Sequence, residues 1–175
     1  MAAALLVAAL VLFLLAWLLL WMARRSREKG GLPRGRVVYV DSRDWRRPDA
    51  PLRSERYGLV GRPDYLVQRG RTVIPVEVKP SRTGAEPYQA DLLQLAAYCL
   101  LVEETSGRMP PYGLLRYRDR TFEVPYGAGV RRRLLELLAE MRAAGRGGEV
   151  GRSHEQRARC AACGMRGHCG EEALC

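Results

Sequence analysis

Thr72-Val73-Ile74-Pro75-Val76-Glu77-Val78-Lys79 is a β-branched run that ends in two charges, and Asp64-Tyr65-Leu66-Val67-Gln68 precedes it across Arg69-Gly70-Arg71. Branched and aromatic side chains favour extended backbone, and a short glycine-bearing connection favours a hairpin, so the two segments read as paired strands. Strand alternation puts Glu77 and Lys79 on one face and Val76 and Val78 on the other. Asp64 opens its strand immediately after Pro63. Antiparallel pairing then brings Asp64 and Glu77 to the same end. Two carboxylates at one point form a hard-oxygen site suited to Mg²⁺ or Mn²⁺. A lysine beside them can stabilise charge on a phosphate or help deprotonate a water. The plainer reading is a solvated strand end with a Glu-Lys pair, which is worth little.

The lysine carries extra information. The chain has 27 arginines and two lysines, Lys29 and Lys79. A lysine kept at this position suits a role that guanidinium fills badly, because ammonium is a compact charge with a tunable pKa. Downstream, Tyr88, Leu92, Leu95, Ala96 and Cys99 recur at helical spacing, with Glu86-Pro87 expected to open the helix. Gln94 and Tyr98 stand at i and i+4, with Asp91 one turn earlier, so a polar stripe runs beside the apolar one. If the apolar face packs on the sheet, this stripe overlooks the strand ends. Cys99 falls on the apolar face and reads as a core residue.

Working outward, Arg36–Asp41 reads as a strand, Arg43–Arg53 as a surface loop, and Tyr112–Tyr117 with Thr121–Val124 as a hairpin. Val130, Leu134, Leu137, Leu138 and Met141 mark a second amphipathic helix. The order describes one α/β domain with a mixed sheet flanked by helices, over residues 36–150. Residues 23–35 read as a basic, glycine-bearing linker and 151–175 as a cysteine-rich tail.

The 175 residues carry 29 Lys+Arg against 19 Asp+Glu, a formal net charge of +10. Such a balance favours an anionic partner, either nucleic acid or an anionic membrane surface. Aromatic content of 7% and charged content of 27% are those of a folded chain rather than a disordered one. Ala2–Met22 is an unbroken apolar run, about 32 Å long as a helix and so long enough to span a bilayer core of about 30 Å. Arg24, Arg25 and Arg27 follow it. The pattern predicts a single-pass transmembrane anchor with the C-terminal domain cytoplasmic, rather than a cleaved signal peptide.

Four of the five cysteines cluster at the C-terminus as Cys160, Cys163, Cys169 and Cys175. In a reducing compartment a metal site is favoured over disulfides. Cys-x-x-Cys has chelating spacing, and four thiolates serve Zn²⁺ or an iron–sulfur cluster equally well; zinc can also take His168 in place of one cysteine.

Gly61-Arg62-Pro63-Asp64, Ile74-Pro75-Val76-Glu77-Val78-Lys79, Gln94-Leu95-Ala96-Ala97-Tyr98 and the cysteine tail, in this order, resemble the CRISPR-associated branch of the RecB-like exonucleases. That branch belongs to the PD-(D/E)XK nuclease superfamily, with its restriction-endonuclease-like fold, and the likeness covers residues 54 to 169. The resemblance implies a metal-dependent DNA nuclease, an exonuclease on single-stranded ends, with CRISPR adaptation proteins as partners. It implies that Asp64, Glu77 and the Val78 carbonyl bind the divalent ion, that Lys79 is catalytic, and that Gln94 and Tyr98 complete the active-site motif. It further implies a 4Fe–4S cluster on the tail, with Cys175 as the available fourth ligand, since no cysteine precedes Cys99. Two features depart from the family pattern. The usual histidine upstream of the Asp is missing, because His154 and His168 are the only histidines; Asp41 and Glu55 are the stand-ins to consider. The N-terminal apolar run is also unusual for the family. The missing histidine motivates a second reading, a catalytically silent nuclease-fold module that binds DNA or protein. A zinc-bearing adaptor at a membrane surface is a third reading, and it leaves Asp64, Glu77 and Lys79 without a role.

Overall fold

The computed structural model describes residues 10, 13–18, 32, 33, 35–147, 152 and 154–174. They fall into two compact units, Met1–Leu135 and Glu136–Cys175.

Among the described residues the first unit has eight strands: β1 (Arg36–Val38), β2 (Trp45–Arg46), β3 (Leu52–Ser54), β4 (Leu59–Gly61), β5 (Tyr65–Arg69), β6 (Thr72–Lys79), β7 (Tyr112–Tyr117) and β8 (Thr121–Pro125). Six of them form one sheet in the order β1-β8-β7-β6-β5-β2, while β3 and β4 form a separate hairpin. The β6–β7 pair is parallel and the other ladders of the main sheet are antiparallel. A parallel pair needs a long crossover, and helix α1 (Gln89–Ser106) supplies it. The mixed sheet expected from the element order is therefore present.

Each face of the sheet carries its own apolar layer. Leu92 and Leu95 of α1 pack on Leu115, Tyr117, Phe122 and Val124. On the opposite face Val67, Ile74, Val76 and Leu114 cluster, bordered by Trp45, Tyr65 and Val78. The register Leu66↔Pro75, Val67↔Ile74 and Tyr65↔Val76 fixes which residues meet across β5 and β6. Gly113 lets α1 lie close, because a Cβ there would stand 2.7 Å from Leu95 Cγ. The helix ends at Gly107, whose φ of 69° is left-handed and whose N–H donates to Glu103 O at 2.9 Å.

Several elements differ from the sequence reading. The stretch 43–53 contains β2 and the start of β3, and β4 follows; strands of two or three residues are too short for alternation to reveal. The first strand stops at Val38, and Tyr39 is fully exposed. Helix α1 starts after Pro87, at Gln89, and is buried on more than one side, because both the main sheet and the β3–β4 hairpin pack on it. Leu100, Leu101 and Val102 therefore join the core.

The expected membrane anchor is corrected. Among the described residues no helix is long and apolar enough to cross a membrane. Within Ala2–Met22, residues 10 and 13–18 are helical. The remainder of that run and most of the 23–35 linker lie outside the described residues. The single-pass membrane placement is withdrawn.

Helix α2 (Ala128–Arg146) runs across the boundary between the units. The second unit also holds the short helix α3 (Arg157–Ala161) and two 3₁₀ turns, Arg166–His168 and Gly170–Glu172. Arg152 ties residues 154 and 155 to the turn at Glu172. It donates to Glu155 at 2.9 Å, to the His154 carbonyl at 2.6 Å and to the Glu172 carbonyl.

The close approach of α1 to β7 is testable. Gly113→Ala is expected to lower unfolding free energy by about 1–3 kcal/mol in urea titrations, as overpacking does. Combined with Leu95→Ala, which vacates the contact, the cost should fall below the sum of the two single changes.

Candidate active site

The β5–β6 register, continued by one residue, sets Asp64 opposite Glu77. Pro63, buried at the start of β5, holds the chain extended there. The Asp64 carboxylate accepts the Val78 N–H at 2.8 Å, so it is fixed to the backbone of β6. Glu77 is 5% exposed and faces α1. Its Oε1 accepts the Lys79 ammonium at 2.8 Å and the Gln94 amide at 2.8 Å. Lys79 also donates to Gln94 Oε1 at 2.9 Å. The second hydrogen bond of the Gln94 amide, also 2.8 Å, goes to the Tyr98 hydroxyl oxygen. Gln94 is thus the hub of the cluster: a primary amide can donate twice and accept at once, which neither carboxylate nor ammonium can do. Because Tyr98 accepts from Gln94, its own phenol proton is left to point elsewhere.

Gly61, three positions before Asp64, has a packing role. A Cβ there would lie 2.8 Å from Tyr98 Cε1 and 3.0 Å from Leu101 Cδ1. Without a side chain at residue 61, β4 and the Tyr98 ring can share that space.

The electrostatics follow from burial and crowding. Burial pushes the Glu77 carboxyl above the ordinary glutamate value; the Lys79 hydrogen bond opposes this, and the nearby Asp64 charge adds to it. Burial disfavours the Lys79 ammonium, but its hydrogen bond to Glu77 and the surrounding negative groups outweigh that, so Lys79 titrates above an ordinary lysine. Burial also raises the Tyr98 phenol. Lys79 is therefore held protonated and acts as a fixed positive charge.

The sequence reading missed a neighbouring network. Asp91 is buried, and Tyr117 donates to its Oδ2 at 2.7 Å while accepting the Tyr88 N–H at 2.9 Å. Arg82 approaches the same carboxylate at 3.6 Å and lies 4.6 Å over the Tyr88 ring. Burial lifts the Tyr117 phenol to about 12, and the Asp91 hydrogen bond adds to the shift. An acidic residue one turn before Gln94 on the inward side of a helix was the available signal. Cys99 is fully buried, and that burial raises its thiol pKa.

Other residues considered at the site are elsewhere. Asp41 is exposed and paired with Arg43 at 2.5 Å. Glu55 is exposed in the turn between β3 and β4. His154 and His168 belong to the second unit. Among the described residues no three His, Cys, Asp or Glu side chains gather as a metal group. In the tail, Cys160 is buried and its Sγ accepts the Leu174 N–H at 3.3 Å, Cys163 is exposed, and Cys169 is half-buried with its thiol 3.9 Å from the Met165 carbonyl. These three thiols do not form a ready cage, and Cys175 lies outside the described residues.

Two comparisons bear on this geometry. Residues 15–170 match the family model described as the PD-(D/E)XK nuclease superfamily. A CRISPR-associated exonuclease Cas4/endonuclease Cas1 fusion from Myxococcus xanthus (strain DK1622) is 31% identical over 121 residues, which is 65% of this chain. The match covers 21% of that relative's length.

The raised Glu77 carboxyl makes a signed prediction. Between the ordinary glutamate value and the raised one, the folded state binds more protons than the unfolded chain, so stability is full below that window and falls as pH rises through it. Glu77→Gln keeps the shape without the charge. In a chelator it should be more stable than the wild type at pH 7 and nearly equal at pH 4 in urea titrations. A less stable variant at pH 7 would mean the Lys79 bridge outweighs the cost of burial.

Proposed function

The chain belongs to the PD-(D/E)XK nuclease superfamily, and on that premise we propose that it is a metal-dependent DNA exonuclease acting on single-stranded ends. The observation that carries this reading is the meeting of Asp64 and Glu77 beside a protonated Lys79, all held by Gln94. Asp64, Glu77 and the Val78 carbonyl would hold Mg²⁺ or Mn²⁺. The donor set fits such an ion, since two carboxylates are pressed together, each hard-oxygen, and one raises the pKa of the other. A divalent cation there supplies Lewis-acid polarisation of a phosphodiester. Lys79, fixed as an ammonium, stabilises negative charge developing on the phosphate. Gln94 holds Lys79 and Glu77 in place, and Tyr98 offers its phenol proton to a substrate oxygen.

The Myxococcus relative joins an exonuclease to an endonuclease in one chain. That supports a role in CRISPR adaptation or related DNA processing, with an endonuclease as partner. The second reading, a catalytically silent module that binds DNA or protein, is favoured by one observation: Asp41 and Glu55 do not join the two carboxylates. For the tail we retain a metal centre on Cys160, Cys163, Cys169 and Cys175, a 4Fe–4S cluster or alternatively Zn²⁺. Its support is ligand spacing and the family likeness. Since the described thiols do not converge, the metal would assemble the site as it binds.

Asp64→Ala and Glu77→Ala are each expected to lower cleavage of labelled single-stranded DNA by about 10²–10³ or more, on the scale of losing one preorganised electrostatic group. Lys79→Arg keeps the charge but not the compact ammonium and should bind DNA while cleaving poorly. A wild type that binds DNA and cleaves no strand with Mg²⁺ or Mn²⁺ would establish the silent module instead.

Iron and zinc analysis of anaerobically purified protein tests the tail. Iron with visible absorbance that bleaches on reduction is expected, and it should be lost in Cys160→Ser. Stoichiometric zinc without iron would assign the alternative metal.

A further inference from the structure

A cleft of about 240 Å³ is lined by Arg47, Arg62, Pro63, Asp64 and Tyr65. It therefore contains one of the two carboxylates of the active site. At Arg47 it meets a larger cleft of about 910 Å³, whose walls include Arg43, Arg46 and Arg47. Carboxylates also occur there, but Asp44 is paired with Arg69 at 3.3 Å, and Asp41 neutralises Arg43 from outside the wall. Asp49 is also present. Among the described residues, Arg46, Arg47 and Arg62 have no carboxylate partner. Arg62 is nonetheless anchored, since it donates to the Pro48 carbonyl at 2.9 Å.

Tyr65 stands at the centre of this surface. The Arg47 guanidinium lies 5.7 Å from its ring centroid, within the range of a cation–π contact. The Trp45 ring, tilted at 5.4 Å, steadies it from the side. Alternation along β5 turns Asp64 and Tyr65 to opposite faces, so the cleft wraps around the start of the strand. Exposed arginines beside a fixed, half-buried ring are the combination that holds single-stranded nucleic acid without sequence preference, through phosphate contacts and base stacking.

We propose that this cleft is the track along which a single strand reaches Asp64 around the start of β5. Arg47 and Arg62 hold backbone phosphates, and one base slips between the Tyr65 ring and the Arg47 guanidinium. The inference takes its substrate class from the nuclease reading and adds the route and the gripping residues.

The test is equilibrium binding of the full chain to a labelled single-stranded DNA oligonucleotide in a chelator, where cleavage cannot intervene, across a salt series. Arg47→Ala should weaken binding and reduce the slope of log affinity against log salt by about 0.7, one single-strand phosphate contact. Tyr65→Leu, which keeps apolar bulk without an aromatic face, should weaken binding about tenfold, and Tyr65→Phe should restore it. Arg71→Ala makes the same change in net charge at the opposite end of the β5–β6 hairpin and should have a smaller effect. Thermal melts of each variant separate binding from folding. Equal losses for Arg47→Ala and Arg71→Ala, full binding by Tyr65→Leu, or no wild-type binding would each overturn the proposal. If the wild type cleaves DNA while the cleft variants bind normally, the track fails and the nuclease reading stands. If the variants lose binding but the wild type never cleaves, the track stands and the nuclease reading fails.

Discussion

One oxygen, Glu77 Oε1, receives both the Lys79 ammonium and the Gln94 amide, and the rest of the unit is arranged so that it can. A carboxylate buried on the inner face of a strand is costly unless charge and hydrogen bonds compensate it. Compensation from the same strand comes from Lys79, two residues on and on the same face. Compensation from outside requires α1 to lie over the end of β6. Gly113 permits the approach of Leu95, Gly61 leaves room for Tyr98, and the parallel β6–β7 pair dictates a helical crossover at that place. Asp64 is brought in by the β5–β6 register and locked by the Val78 N–H. The arrangement stores an imbalance: two carboxylates meet where one ammonium faces them, and a divalent cation would complete the neutralisation.

Much of this was legible in the chain. Thr72–Lys79 has the bounds expected from its β-branched run, and the residues placed on one strand face and one helix stripe do meet. Periodicity alone carried that, because side chains at i and i+2 of a strand, or i and i+4 of a helix, must share a side. Elements shorter than one period were not legible. Two-residue β2 and the three-residue β3 and β4 have no pattern to display, so the hairpin covering α1 went unseen, and α1 was taken for a helix with one buried stripe. Asp91 illustrates the same blindness at a site. Its partners, Tyr117 and Arg82, come from distant segments, and only the folded sheet brings them together.

The ends of the chain teach a different lesson. An apolar run of sufficient length suggested a membrane span at Ala2–Met22, because hydropathy and length were the whole of that reading. Among the described residues no helix is long and apolar enough to cross a membrane, and the family match begins inside the run, at residue 15. At the other end, cysteine spacing defines chelating distances along the chain, but ligand direction depends on tight turns. Cys160 is engaged by the Leu174 N–H and Cys163 faces outward, so a metal there would have to organise its own ligands.

The central claim is that Asp64 and Glu77 form one divalent-cation site dependent on their mutual placement. Titration with Mn²⁺ followed by electron paramagnetic resonance, on wild type, Asp64→Asn and Glu77→Gln, tests it most directly. The account predicts a tight Mn²⁺ site in the wild type that either substitution removes. Tight binding that survives both substitutions, or no bound Mn²⁺ in the wild type, would contradict it.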